Sequence, residues 1–155
     1  MSAICELDLN AKLALASYAS LSKAMSRAQQ EAALLPTMGQ TLAIQFSEEW
    51  RVNDVHGDLS GVSATIFERI SDGRRYLAIR GTELTSASAA LMDLGADYLL
   101  ARGLPASLNP QFTSLRAKVQ EWLDDGSLQS GFVVSGHSLG GYLAQYFAGT
   151  NPGRV

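Results

Sequence analysis

The chain has 155 residues, 46% of them hydrophobic and 17% charged, which is enough apolar material for one buried core and sets residues 1–155 as a single domain. Twelve basic residues against fifteen acidic ones leave a net charge of −3, and Arg74-Arg75 is the one adjacent basic pair, so a nucleic-acid surface is excluded as a partner. There is no uninterrupted apolar run of about 18 residues to span a membrane. Glu6 and Asp8 fall where a secretory signal would be apolar, and the lone Cys5 offers neither a disulfide nor a metal site.

In chain order, Asn10 is expected to cap a helix running to about Glu31, with Leu13, Tyr18, Leu21 and Met25 on its apolar face. Pro36 is expected to end it, and Thr37 to cap a second helix to about Glu49 that buries Leu42, Phe46 and Trp50. Strands are predicted over Trp50 to Val55, Gly61 to Arg69 and Tyr76 to Arg80. The turn Ser71-Asp72-Gly73-Arg74 joins the last two into a hairpin. A Ser/Thr/Ala-rich loop from Gly81 to about Ala90 follows, then a helix over Asp93 to Arg102 that Gly103-Leu104-Pro105 breaks. Asn109-Pro110 opens a helix to about Asp125, whose Phe112, Leu115, Val119 and Trp122 recur at the helical period and read as core. A strand from Phe132 to Ser135 and a helix from Leu139 to about Gly149 complete the series. The order predicts an α/β class with a mixed sheet flanked by helices.

The chemistry lies between those last two elements. Gly136-His137-Ser138-Leu139-Gly140-Gly141 has the Gly-x-Ser-x-Gly spacing in a strand–turn–helix setting, where the turn is too tight for side chains on both flanking positions. Glycine at 136 and 140 removes the Cβ atoms that would collide. Ser138 is then expected at the tip with its hydroxyl outward, beside the N–H of Leu139 and the positive end of the following helix, where an attacked carbonyl would gather negative charge. The plainer alternative is a glycine-rich turn in which Ser138 caps the helix. A second oxyanion donor should come from the loop after a neighbouring strand. Tyr76 to Arg80 enters Gly81-Thr82, and Thr82 offers both an N–H and a hydroxyl. The residues alone leave open whether Thr82 serves the site or ends a strand in an ordinary turn.

The run Tyr76 to Thr82 with its Arg-Gly-Thr ending, then Asp93 and Asp97, then Val134 to Gly141, resembles the class 3 lipases, a branch of the α/β-hydrolases. The phrasing is closest to bacterial members, including lipase-like domains of large secreted proteins with calcium-binding repeats, and it covers about residues 10 to 150. The resemblance implies hydrolysis of acylglycerols or related lipid esters without a cofactor or metal, with transient contact at a lipid interface. It implies Ser138 as nucleophile, Thr82 and Leu139 as the oxyanion hole, and His137 as a packing or hydrogen-bonding neighbour. It also sets Asp93 and Asp97 where such lipases often carry an aspartate near the site; their bland reading is solvated first-turn charges.

The same pattern leaves a gap. In this fold the order is Ser, then Asp or Glu, then His, yet the 17 residues after Ser138 contain none of these last three. The expectation is an α/β-hydrolase-like domain cut short after the nucleophile helix, with acid and base beyond Val155, nearly inactive alone, and secreted, if at all, by a signal outside this chain. The alternative places the base at His56, oriented by Asp54 or Asp58. An unpaired sheet edge near Phe132 to Val134 would favour self-association. Other acyl chemistries (thioesterase, acyltransferase, peptidase) and a non-catalytic binding module remain open, since the turn does not name the leaving group. Thr85 to Leu91 and Leu104 to Leu108 are lid candidates that fit plain loops equally well.

Overall fold

A computed structural model describes residues 3–81, 110–153 and 155. Helices α1 (Ala3–Ala16) and α2 (Arg27–Glu49) precede strands β1 (Trp50–Gly57), β2 (Ser63–Arg69) and β3 (Arg75–Arg80). Helix α3 (Pro110–Asp124), strand β4 (Val133–Gly136) and helix α4 (Leu139–Thr150) follow. The sheet runs in the order β1-β2-β3-β4, antiparallel between the first three strands and parallel between β3 and β4. It is therefore mixed, as the element pattern predicts.

Both faces of the sheet are covered, and strict alternation along β3 shows how. Tyr76 and Ala78 join Leu13, Leu34, Phe46 and Trp50 in the core under α1 and α2. Leu77 and Ile79 point the other way, into a core built from Phe112, Leu115, Val119 and Trp122 of α3 with Leu143 and Phe147 of α4. A strand buried on both faces reads as a continuous apolar run, which is how Tyr76 to Ile79 reads. The period-3.6 residues of α3 are core, as expected.

The first two helices depart from expectation. Asn10 lies inside α1 and caps nothing; the chain leaves the helix at Ala16 and re-enters one at Arg27. Ser26 is the cap, in a reciprocal box with Gln29: its hydroxyl accepts from the Gln29 N–H and its own N–H donates to the Gln29 side chain. Pro36 does not end α2. The break comes at Gly39, whose φ of 74° and ψ of 168° interrupt the helix. A proline near the end of a helical segment removes only one intrahelical donor, whereas positive φ is the usual way a segment stops. Thr37 therefore lies before the break and starts no helix, and Leu42 is only half-buried. Buried Gln30 ties the pieces together: its amide donates to Ser47 Oγ and Trp50 O and accepts from the Val52 N–H.

A bulge in β1 reorients its second half. Val52 pairs with Phe67 but Asp54 pairs with Ile66, so Asn53 is the extra residue. Asp54 and His56 thereby turn to the α3 face, where the Trp122 Nε1–H donates to Asp54 Oδ2 at 3.0 Å and His56 meets the Trp122 ring edge-on at 6.2 Å. Among the described residues β4 is the sheet edge on its far side, and no helix is long and apolar enough to cross a membrane.

Candidate active site

Ser138 occupies the first position before α4 with φ 56° and ψ −129°, a conformation that suits glycine and is costly for any other residue. It is exposed and its side chain makes no capping hydrogen bond. The helix-capping alternative is thus not what the structure builds. The cap is made by backbone instead, with the Ser138 carbonyl accepting from the N–H groups of Gly141 at 2.9 Å and Tyr142 at 3.2 Å. The N–H of Leu139 heads the helix, where first-turn donors have no intrahelical acceptor.

Three glycines make the geometry possible, each for a different neighbour. A Cβ on Gly136 would lie against the Gly140 carbonyl and 2.8 Å from Gly141 N. A Cβ on Gly140 would strike β3, at Ile79 O, 2.8 Å from Arg80 C and 2.9 Å from Gly81 N. The two flanking positions do crowd one another, as the spacing suggests, but Gly140 is needed chiefly so that α4 can begin against the neighbouring strand. Gly81 was not singled out by spacing, and it is as tightly placed: its Cβ would sit 2.5 Å from His137 O and 3.1 Å from Ser138 Cβ.

The parallel register explains this crowding. Ile79 pairs with Gly136, so β3 and β4 end side by side and the chain leaving β3 passes over the Ser138 turn at Gly81. That adjacency is the condition on which the role of Thr82 rests. Thr82 itself lies outside the described residues, together with Asp93, Asp97, the predicted helix from Asp93 to Arg102 and both lid candidates.

Neither histidine stands as a base for Ser138. Pairing runs His56–Ala64, Ala64–Ile79 and Ile79–Gly136, a straight row across the sheet. His56 is therefore three strand spacings, about 14 Å, from the strand that presents Ser138. It is also occupied where it stands, with Nε2 3.3 Å from Ser114 Oγ and 3.5 Å from Asp58 Oδ2. The alternative with His56 as base is overturned by strand order, a property that adjacency in sequence does not carry. His137 is exposed, with Nδ1 3.2 Å from the Tyr18 hydroxyl.

The carboxylates near His56 are held ionised. Burial alone would raise the Asp54 pKa, but hydrogen bonds from the Val55 N–H, Trp122 and Lys23 outweigh it and the net shift is downward. Asp58 follows the same pattern, burial opposed by the hydroxyls of Ser114 and Ser60 and the Ser60 N–H.

Beside Ser138 opens a cavity of about 890 Å³, lined by Leu7, Asn10, Ala11, Ala14 and Leu15 of α1, then Tyr18 and Thr37, with Gly136, His137 and Ser138 completing its wall. Leu7 is 70% exposed and Leu15 38%, so an apolar helix face is left uncovered next to the hydroxyl. The sequence pattern starts the helix at Asn10 and puts only Leu13 and Tyr18 of this stretch on an apolar face, so the groove is not foreseen; its signal is the pair of alanines among leucines, which leaves room where larger side chains would fill it. Among the described residues no group of three or more His, Cys, Asp or Glu is placed to hold a metal ion, and the exposed Cys5 forms no disulfide. Comparison of the chain with protein-family models, with curated proteins and with solved structures returned no match.

Proposed function

We propose that the protein is a serine acyl hydrolase of the lipase or esterase type, built on an α/β-hydrolase-like sheet and acting on carboxylic esters with an apolar acyl chain. The observation that carries this reading is the backbone of Ser138: a left-handed φ at a non-glycine residue, exposed, uncapped by its own side chain and surrounded by three glycines that clear space for it. Such strain persists only where the surroundings enforce it, and it is expected where a side chain must be presented to a substrate.

In the proposed reaction Ser138 Oγ bonds to the ester carbonyl carbon and the carbonyl oxygen becomes an oxyanion. The N–H of Leu139 and the N–H and hydroxyl of Thr82 are its proposed donors. Collapse breaks the ester C–O bond, the Oγ proton passes through a base to the departing alcohol, and water then releases the acid and restores the serine. With neither histidine of this chain placed to carry that proton, turnover by this chain alone is proposed to stay near background, and the acid and base are to be supplied otherwise. The apolar wall from Leu7 to Leu15, about 12 Å of helix, suits an acyl chain in extended form.

A fluorophosphonate probe, applied with excess imidazole as the external base that no residue of this chain supplies beside Ser138, tests the reading. Ser138 is expected to be labelled in the folded chain, and labelling to vanish in Ser138→Ala while Ser114→Ala labels as the parent does. Absence of label on a chain that melts cooperatively, or equal label on Ser114, would overturn it. Hydrolysis of a short p-nitrophenyl ester is expected near background; robust turnover lost in Ser138→Ala would move the base inside these residues. Self-association through β4, the sheet edge among the described residues, is part of the same proposal and is read as an oligomer on size-exclusion chromatography; a clean monomer would count against it.

A further inference from the structure

Resting on that reading of Ser138, we infer that Tyr18 is a positioning residue for it: the phenol donates to Nδ1 of His137, sets that ring's tautomer, and braces the turn against the end of β3. Three observations converge on one point. Tyr18 Oη lies 3.2 Å from His137 Nδ1, and the two rings meet edge-on at 68° with centroids 6.1 Å apart. The Cβ position of Gly81 is 2.7 Å from the same hydroxyl, 2.5 Å from His137 O and 3.1 Å from Ser138 Cβ. Tyr18 also lines the same cavity as Ser138.

The phenol therefore sits where three elements meet: the end of α1, the turn that presents Ser138, and the last described residue after β3. Its own backbone is anchored, since the Tyr18 N–H donates to Leu15 O and the flanking Ser17 and Ala19 N–H groups donate to Leu13 O and Ala16 O. Ser17 Oγ adds a bond to Ala14 O at 2.7 Å. A side chain fixed at its root and bonded at its tip resists displacement of the element it touches.

The chemistry of the bond specifies more than contact. A neutral imidazole has one donor and one acceptor nitrogen, and the bond made at one nitrogen decides which. A phenol O–H donated to Nδ1 leaves the proton on Nε2. His137 then presents an N–H one residue before the reacting hydroxyl, and its ring cannot turn without breaking the Tyr18 bond. Adjacent side chains diverge on this turn, so His137 acts through the backbone it shares with Ser138 and takes no proton from it.

The test uses the full chain, which has two histidines, and its first readout needs no activity. Long-range proton–nitrogen spectra of uniformly 15N-labelled protein are recorded near pH 8, with His56→Gln assigning the two rings. The parent is expected to show His137 as the Nε2–H tautomer with a hydrogen-bonded Nδ1, and Tyr18→Phe to move Nδ1 toward the tautomer-averaged position. The second readout is the rate of fluorophosphonate labelling at Ser138, expected to fall about tenfold in Tyr18→Phe, the size of one well-made hydrogen bond, with the melting temperature nearly unchanged. An Nδ1–H tautomer in the parent, an unchanged Nδ1 resonance in Tyr18→Phe, or a labelling loss that merely tracks the unfolded fraction would each overturn the inference. If the parent chain does not react at all, the reading of Ser138 fails, and the imidazole spectrum alone decides whether Tyr18 sets His137.

Discussion

Ser114 and Ser138 each lie close to a histidine, towards opposite edges of one sheet, and they are built in opposite ways. Ser114 sits inside α3, its hydroxyl donating to Asp58 and lying 3.3 Å from His56 Nε2. It has serine, histidine and aspartate together, yet the serine proton is directed at the carboxylate and the histidine meets both partners through the same nitrogen. The N–H after Ser114 is committed to the helix ladder, so nothing waits for an oxyanion. Ser138 has no histidine–carboxylate pair beside it among the described residues, but it has exposure, a strained backbone, a helix-heading N–H and a parallel strand end at Gly81. Proximity of the right side chains and readiness of the backbone are separate properties, and in this fold the second is harder to build.

Changes around the two serines sharpen this contrast. The largest effect is expected from Gly140→Ala, where a Cβ would press into the β3 backbone at Ile79 and Arg80; a loss of about 4 kcal/mol, or failure to fold, is anticipated. Gly149→Ala in the same helix, with nothing within 4 Å of its Cβ, should instead stabilise by about 0.5–1 kcal/mol. Equal responses from the two, read as denaturant midpoints at constant slope, would mean that the close approach of α4 to β3 is wrong.

At the β1 edge of the sheet, Trp122→Phe removes the donor to the partly buried Asp54 while keeping an aromatic ring. A loss of about 1–3 kcal/mol is expected. The change should leave fluorophosphonate labelling of Ser138 untouched, because the His56 cluster is a structural clasp between β1 and α3. A parallel loss of labelling would join the two regions after all.

Ser138→Gly separates presentation from stability. Relief of the left-handed strain should raise stability by about 1–2 kcal/mol while abolishing labelling. Ser138→Ala keeps the strain and should not gain. A destabilised Ser138→Gly would show that the conformation carries no strain.

The smallest effect is acidic. Asp54, Asp58 and Glu68 titrate below their ordinary values: burial would raise each, but hydrogen bonds and cationic partners outweigh it. Asp72, bonded to the Arg69 guanidinium and the Arg74 N–H, is lowered from 3.8 to about 2. A depressed folded-state pKa gives stability that is complete above the unfolded value and lost as pH falls through the folded one. The melting temperature should therefore hold from neutrality to about pH 5 and decline below it, most steeply between 3.8 and about 2 for Asp72. A melting temperature that stays flat or rises as the pH falls from about 5 to about 2 would overturn this assignment.

The strands and the Ser138 turn were legible in the chain because their signals are local. Alternation along Tyr76 to Ile79, the hairpin turn at Asp72-Gly73, the helical period of Phe112 to Trp122, and glycines two before and two after a serine all act within a few residues. The helices at the start misled for an equally physical reason. Asn10 and Thr37 have the side chains of caps but not the positions, and whether Pro36 or Gly39 breaks the chain depends on which backbone angle the packing demands. What only the tertiary structure decided was adjacency across long separations. The bulge at Asn53 turned Asp54 toward Trp122, the sheet order put His56 three strands from Ser138, and the end of α1 brought Tyr18 to His137 across 119 positions of sequence. A pattern along the chain sets which way a residue faces within its own element; strand order and helix docking minimise energy over the whole core, and they decide what it meets there.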